Sequence, residues 1–348
     1  MGMHVLSPED AKKEIIECMK VGIAPYLVGN PGIGKSHCVY QIGEEYNLEV
    51  IDLRMSQMAP EDLMGLPMRK GNKAFFAPFE MFPLEDTPLP PGKKGWILFL
   101  DELPSASQAV LAASYKIILD KMVGGHKLHP NVVIIAAGNK TTDKAIAKNM
   151  GTAMQSRICT LEIGVFMEPT LKHFHKIGMD SRIIGFIEFQ PSKLHSFDPN
   201  HTDATFACPR TWEFASKLIR GKEFNQISLP LLAGVISDGV AEEFYTFLQE
   251  YEQLPKYSQI EQNPETTFIP AEGSTKYALV TMLVDYSNEK TIGSIVKYVK
   301  RLPADFQVIY FRNVVRKDPE LKQHQAFTEN MLDLTRLVYD DDDSSAAA

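Results

Sequence analysis

The sequence predicts an α/β protein, a five-stranded parallel sheet between helices, followed by an all-helical region. Three observations predict it. Short apolar runs alternate with helical patterns: "PYLV", "LEVIDL", "WILFL", "VVIIAA" and "ICTLEI". Strands that are apolar on both faces need helices on both sides, which is the parallel-sheet arrangement. From about residue 166 the strand-like runs stop and helical periodicity takes over. Finally, the glycine-rich stretch "GNPGIGKS", Gly29–Ser36, follows "PYLV" and opens a helix, the strand–loop–helix order of a phosphate-binding loop.

The elements follow in chain order. Ser7 suits an N-cap, Pro8 the first helical position, and Glu9 and Asp10 the positive end of the helix dipole. Ile15, Ile16 and Met19 give that helix an apolar face, and Gly22 ends it. Residues 58–95, rich in Pro and Gly, hold a hairpin, "LPMRKGNKAFFA", turning at Lys70-Gly71-Asn72. Between "WILFL" and "VVIIAA" a helix starts at a capping box of Ser105 and Gln108, with Leu111, Tyr115, Ile118 and Met122 along one side. Further helices are expected near 211–220, 240–252, 275–287, 291–301 and 303–315, with Phe306, Ile309 and Tyr310 on the buried face of the last. Residues 253–274, polar with three prolines, read as a linker or long loop. "DDDDSSAAA" reads as a disordered acidic tail.

The chain has 348 residues, 44% hydrophobic and 23% charged, which suits a large core and two or three domains. Net charge is -8, a poor balance for a nucleic-acid binder, since duplex binding rests on Lys and Arg contacts to phosphate. Cys18, Cys38, Cys159 and Cys208 lie far apart, fit neither a disulfide framework nor a zinc spacing, and point to a reducing compartment. Cys38 reads as core packing, and His173 and His175, without a third ligand, as solvated helix residues. No apolar run is long enough to cross a bilayer, and the first residues lack a signal-peptide plan, so a cytoplasmic location is expected.

The loop carries chemistry. Its glycines let successive N–H groups converge on one point, where the new helix also aims its positive end. The expected nucleotide contacts are Gly29, Asn30, Pro31, Gly32, Ile33, Gly34, Lys35, Ser36 and His37, with Lys35 reaching the β- and γ-phosphates and Ser36 offering its hydroxyl to Mg²⁺. "WILFL" ends in Asp101-Glu102. An Asp there can hold Mg²⁺, and the adjacent Glu can orient or deprotonate an attacking water. A nucleoside triphosphate with Mg²⁺ is therefore the expected ligand, the purine not being legible from the loop itself. Asn139, at the end of a central strand, can hold the water opposite Glu102, or merely satisfy its own turn.

These residues resemble the AAA+ ATPases, and in detail the MoxR-like group with an insertion in the second core helix. "GNPGIGKS" resembles the Walker A motif and "ILFLDE" the Walker B motif. "VVIIAAGNKTTD" is similar to the strand that ends in the sensor 1 asparagine, here Asn139. "AMQSRICTLEI" resembles the arginine-finger stretch, here Arg157, and "FACPRTWEFA" the sensor 2 motif, here Arg210. The five motifs keep their order over about residues 1–235. "KTTD" in place of the "NTAD" of McrB-like GTPases favours ATP.

The resemblance implies a nucleotide-binding core over 1–165, with the insertion hairpin at about 58–95, and a helical lid over 166–238. A helical extension over 239–339 and a tail over 340–348 would follow. It further implies a ring, hexameric in relatives, in which Arg157 acts in trans and Arg210 couples the lid to the nucleotide. Relatives of this type remodel protein clients with a partner that carries a von Willebrand factor A-type domain. Phe75 and Phe76 either grip such a partner or pack the hairpin onto the core. Arg182 is a competitor for an arginine role. Two other functions stay open, a DNA-associated motor or clamp-loader-like ATPase and a nucleotide switch with negligible turnover; the charge counts against the first and Glu102 against the second.

Overall fold

The structure, a computed structural model, describes residues 4–140, 150–200 and 202–331. It divides into two compact units, Met1–Phe166 with Phe197–His201, and Met167–Ser196 with Thr202–Ala348.

The first unit runs β1 (Val5–Leu6), α1 (Pro8–Val21), β2 (Ala24–Val28), α2 (Lys35–Glu45), β3 (Leu48–Arg54), α3 (Pro60–Met64), β4 (Leu66–Lys70) and β5 (Lys73–Ala77). It continues with β6 (Gly95–Asp101), α4 (Gln108–Asp120), β7 (Met122–Val123), β8 (His126–Lys127), β9 (Val132–Gly138), α5 (Thr152–Gln155) and β10 (Ile158–Ile163). All five expected strands form. A sixth, β1, is added at the edge by two residues, too few to carry a periodic signal, and the order is β1-β10-β2-β9-β6-β3, all parallel.

Alternation along the strands explains the burial. Leu27, Ile97, Phe99, Ile135 and Ala137 share one face with Ala11 and Ile15 of α1 and Val39 and Ile42 of α2. Tyr26, Val28, Leu98, Leu100, Ile134 and Ala136 share the other with Val110, Leu111 and Ile117 of α4. Residues two apart face the same way, so continuous apolar runs feed both layers. Ser7 caps α1, accepting from the Asp10 N–H at 3.1 Å, and Gly22 closes it in the left-handed region. Cys38 is core, and burial pushes its thiol up to about 11.

Two readings need correction here. The N-cap of α4 is Ser107, which accepts from the Val110 N–H at 3.2 Å; Ser105 belongs to a short 3-10 turn, Leu103–Ser105, forced by Pro104. Met122 lies beyond α4 in β7, because Lys121 ends the helix in the left-handed region. The hairpin forms as β4–β5, with Lys70 paired to Lys73 around Gly71-Asn72.

The described residues of the second unit are helical: α6 (Met167–Lys176), α7 (Ser181–Phe189), α8 (Pro209–Ile219), α9 (Leu229–Ile236), α10 (Asp238–Glu252), α11 (Tyr257–Gln262), α12 (Gly273–Tyr286), α13 (Ile292–Val299) and α14 (Ala304–Lys317), with short 3-10 turns. The five expected helices form; α6, α7, α9 and α11 are additional, and α11 interrupts the expected linker. On α14 the buried face includes Gln307 and Tyr310, while Phe306 is half-buried. The acidic tail lies outside the described residues. The core centres on Trp212, whose ring meets Phe244 edge-on at 5.5 Å and Phe186 at 5.7 Å, and whose Nε1 donates to the Lys193 carbonyl at 2.9 Å. Among the described residues no helix is long and apolar enough to cross a membrane.

His175 is not solvated. Its Nε2 is buried without a partner, and burial, helped by Arg316 and Lys317, depresses its pKa to about 4. Unfolded, the ring takes its proton near pH 6.5; folded, it resists down to about 4, so the unfolded chain binds the extra proton between these values. Stability contributed by neutral His175 is complete above pH 6.5 and falls as pH drops. The expected loss between pH 7.5 and pH 5 is about 2 kcal/mol. Urea unfolding read from Trp212, with Trp96→Phe as background, measures it. His175→Gln should flatten that pH dependence; an unchanged slope would place its origin elsewhere.

Candidate active site

Strand order builds the site. β9 lies between β2 and β6, and β3 flanks β6. The loop after β2, Asn139 after β9, Asp101-Glu102 at the end of β6 and Arg54 at the end of β3 therefore meet along the carboxyl edge of the sheet, where crevices of parallel sheets bind ligands.

The loop is held open by backbone geometry. Gly34, the N-cap of α2, has φ 95°, a conformation a side chain would strain, and caps the helix with no side-chain oxygen. The first N–H groups of α2 are thus left for an anion. Gly29 passes so close to β10 that a Cβ there would sit 2.4 Å from the Ile163 carbonyl oxygen.

Lys35 is only 9% exposed. Its Nζ donates to the carbonyls of Gly29 at 2.6 Å and Asn30 at 2.8 Å, and to Asn139 Oδ1 at 3.0 Å. Ser36 Oγ donates to Asp101 Oδ2 at 3.0 Å. These contacts bring together Lys35, Ser36, Asp101 and Asn139, four of the expected residues. Ile33 packs into the core, so only its backbone is offered to the site. His37 is exposed and shares a hydrogen bond with Gln41 at 2.9 Å.

Glu102 follows Asp101 in the left-handed region, φ 58°. A non-glycine residue there costs about 1–3 kcal/mol, and such strain gathers at functional sites. Its N–H donates to Asp101 Oδ1 at 2.9 Å, its carboxylate accepts from Ser56 Oγ, and it stays partly exposed.

Sequence reasoning missed Arg54. The β3–β6 register sets it opposite Asp101. Its guanidinium lies 3.2 Å from Asp101 Oδ2, 3.6 Å from Glu102 Oε1 and 3.3 Å from Asp52 Oδ2. Burial disfavours its charge, but Asp101, Asp52 and Glu102 outweigh that and raise its pKa. "LEVIDLR" carries no motif, and only strand pairing reveals the contact.

The two arginines expected to act from elsewhere are both exposed. Arg157 is exposed in the turn between α5 and β10, its N–H donating to the Met154 carbonyl at 2.9 Å. Arg210 is exposed in the first turn of α8, in the second unit. Arg182 is excluded as a competitor. It is bound to Asp180 at 2.8 and 2.9 Å and to the carbonyls of Ile219 at 2.8 Å and Lys222 at 2.9 Å, a structural role.

The donor set fits a magnesium nucleotide: a cradle of N–H groups for phosphate, a buried ammonium, and a hydroxyl beside a carboxylate for the metal.

Comparison with known proteins follows the same lines. Residues 25–160 match the model of the ATPase family associated with various cellular activities (AAA). That segment holds the loop, Asp101, Glu102, Asn139 and Arg157. No curated protein matches the chain. Solved structures similar to it include a RuvB mutant from Thermotoga maritima, 15% identical over 73% of this chain and 75% of that one, TM-score 0.40. A protein from Cytophaga hutchinsonii inferred to be an ATPase is 12% identical over 95% and 90%, TM-score 0.34. NtrX from Brucella abortus is 13% identical over 90% and 68%, TM-score 0.34.

Arg54, 3.2 Å from Asp101 Oδ2, would compete with a divalent cation for that carboxylate. In the nucleotide-free chain, Arg54→Gln should bind Mn²⁺ about fivefold more tightly, the factor that ~1 kcal/mol for a part-exposed ion pair allows. Asp101→Asn should lose that site. Electron paramagnetic resonance of free Mn²⁺ reads both. Equal or weaker binding by Arg54→Gln would mean that the guanidinium does not compete.

Proposed function

We propose that the chain is an ATP-hydrolysing, ring-forming remodelling ATPase of MoxR type. The observation that carries this reading is one sheet edge with Lys35, Ser36, Asp101, Glu102 and Asn139, in which Glu102 follows the Asp101 that is hydrogen-bonded to Ser36.

Bound Mg-ATP supplies the γ-phosphoryl group that water attacks. The chain's residues do the rest. The loop N–H groups and the start of α2 receive phosphate oxygens, and Lys35 exchanges its carbonyl partners for them. Ser36 and Asp101, already hydrogen-bonded, hold the metal. Glu102 takes the proton from water, and Asn139 orients that water without competing for the proton. Arg54, paired with Asp101, would have to release that carboxylate for it to hold a metal.

Arg157, exposed before β10, acts on the site of a neighbouring subunit, and Arg210 links helices of a lid over 166–238 to nucleotide state. Residues 239–339 extend that helical part. The ring is hexameric and cytoplasmic, and it works with a von Willebrand factor A-domain partner on a protein client. These finer points rest on the sequence resemblance.

ATP turnover per chain, measured against protein concentration, tests the reading. Specific activity should rise with concentration. Arg157→Ala should bind ATP yet lose ~10³-fold or more in turnover. Glu102→Gln should also bind and not hydrolyse. Turnover independent of concentration, with Arg157→Ala at wild-type rate, would remove the shared site; full activity in Glu102→Gln would remove the proposed base.

A further inference from the structure

We propose that Lys140 and Glu162 are positioning residues for Asn139: their ion pair straps the residue after Asn139 across the start of the phosphate loop and so aims the Asn139 amide at the attacking water. The inference rests on the ATPase reading above and adds two residues to it. Both belong to the first unit.

Strand order sets the geometry. β2 lies between β10 and β9. At the carboxyl end of β2, Val28 has Gly138 of β9 on one side and Glu162 of β10 on the other. The next residue, Gly29, opens the phosphate loop. Leu161 and Ile163 point into the layer of α1 and α2, which turns Glu162 to the opposite face, the one that carries Val28. β9 ends at Gly138, so Asn139 and Lys140 have left the ladder that would fix their backbone. Lys140 instead reaches past β2, and its Nζ lies 2.5 Å from Glu162 Oε1. Two strand spacings are about 10 Å, a gap that takes two long side chains to span. The side chains are 33% and 16% exposed, so the pair is partly shielded from water.

Asn139 is thereby held from two directions. Its Oδ1 accepts from Lys35 Nζ at 3.0 Å, and the residue that follows it is anchored to β10. With Oδ1 turned to the ammonium, the Nδ2 donor of the same planar amide faces away from it, as a group that meets water must. Lys35 alone is a poor anchor, because on the proposed reading it changes partners when phosphate arrives. The Lys140–Glu162 pair needs no such change, so it keeps Asn139 in place through the exchange.

Isothermal titration of the full chain with Mg-ADP, with and without aluminium fluoride as mimic of the phosphoryl group in transition, tests the pair without turnover. ADP does not call on Asn139, so its affinity should stay within about twofold in Lys140→Met, in Glu162→Met and in the double variant. The factor by which aluminium fluoride tightens binding should fall about fivefold in each single variant, as a part-exposed ion pair allows. It should fall no further in the double variant, since the two residues act as one unit. Lys140→Arg, which keeps the charge, should recover most of the loss. ATP turnover should show the same pattern in kcat, with KM unchanged. A lower melting temperature with the aluminium fluoride factor intact would make the pair merely structural and overturn the inference. Loss in Lys140→Met but not in Glu162→Met would overturn it too, since Lys140 would then meet the phosphate itself. Wild-type tightening that all variants share removes this inference alone. A wild type that neither tightens with aluminium fluoride nor turns over ATP removes the ATPase reading and this inference with it.

Discussion

The buried ammonium of Lys35 is the constraint around which the first unit is arranged. A cation 9% exposed must be paired or richly hydrogen-bonded, or its desolvation outweighs what the fold gains. Its partners include two carbonyl oxygens of its own loop and Asn139 Oδ1 across the sheet edge. That requires the loop to curl, which needs the left-handed Gly34, and requires β9 beside β2. A carbonyl is a neutral partner and surrenders the ammonium cheaply to phosphate. The groups that hold the ammonium are thus the same ones that surround the phosphate-binding loop.

Much of this was legible because it is local or periodic. The phosphate loop needs only a run of adjacent residues, and each central strand announces itself by apolar content. Ser7 and Gly22 mark α1 by chemistry confined to its two ends. What stayed hidden depends on partners distant in sequence. Arg54 gains its meaning from a register with Asp101, and Ser56 from its contact with Glu102, and no spacing rule encodes either. Two-residue β1 is an edge addition that parallel pairing with β10 alone makes a strand. Ser107 replaced Ser105 as the cap because Pro104 shifts the turn, a competition of two local signals that sequence alone does not rank. His175 was misread since its helix pattern places it between faces, and only the packing of α14, with Arg316 and Lys317, shuts out water.

Burial and charge also separate the two polar networks of the molecule by purpose. In the second unit Glu188 is closed off among Arg312, Asn313 and Arg316, with Asn313 Nδ2 donating at 2.7 Å. Burial pushes its carboxyl up while these partners pull against that. Its side chain is 3% exposed and that of Arg316 9%. Removing one member of such a set strands a buried charge, at about 3–5 kcal/mol. The Arg54 cluster is more open: its side chain is 45% exposed and that of Glu102 40%, although Asp101 itself is 8% exposed, so water can replace the contact between Arg54 and Glu102 as it breaks. Burial raises the carboxyls of Glu188 and of Asp285, and the network around Glu188 is built to stay closed. The proposed catalysis needs charges that can change partners at small cost, and the part-exposed charges of Arg54 and Glu102 lie at the carboxyl edge of the sheet, where that reading places it.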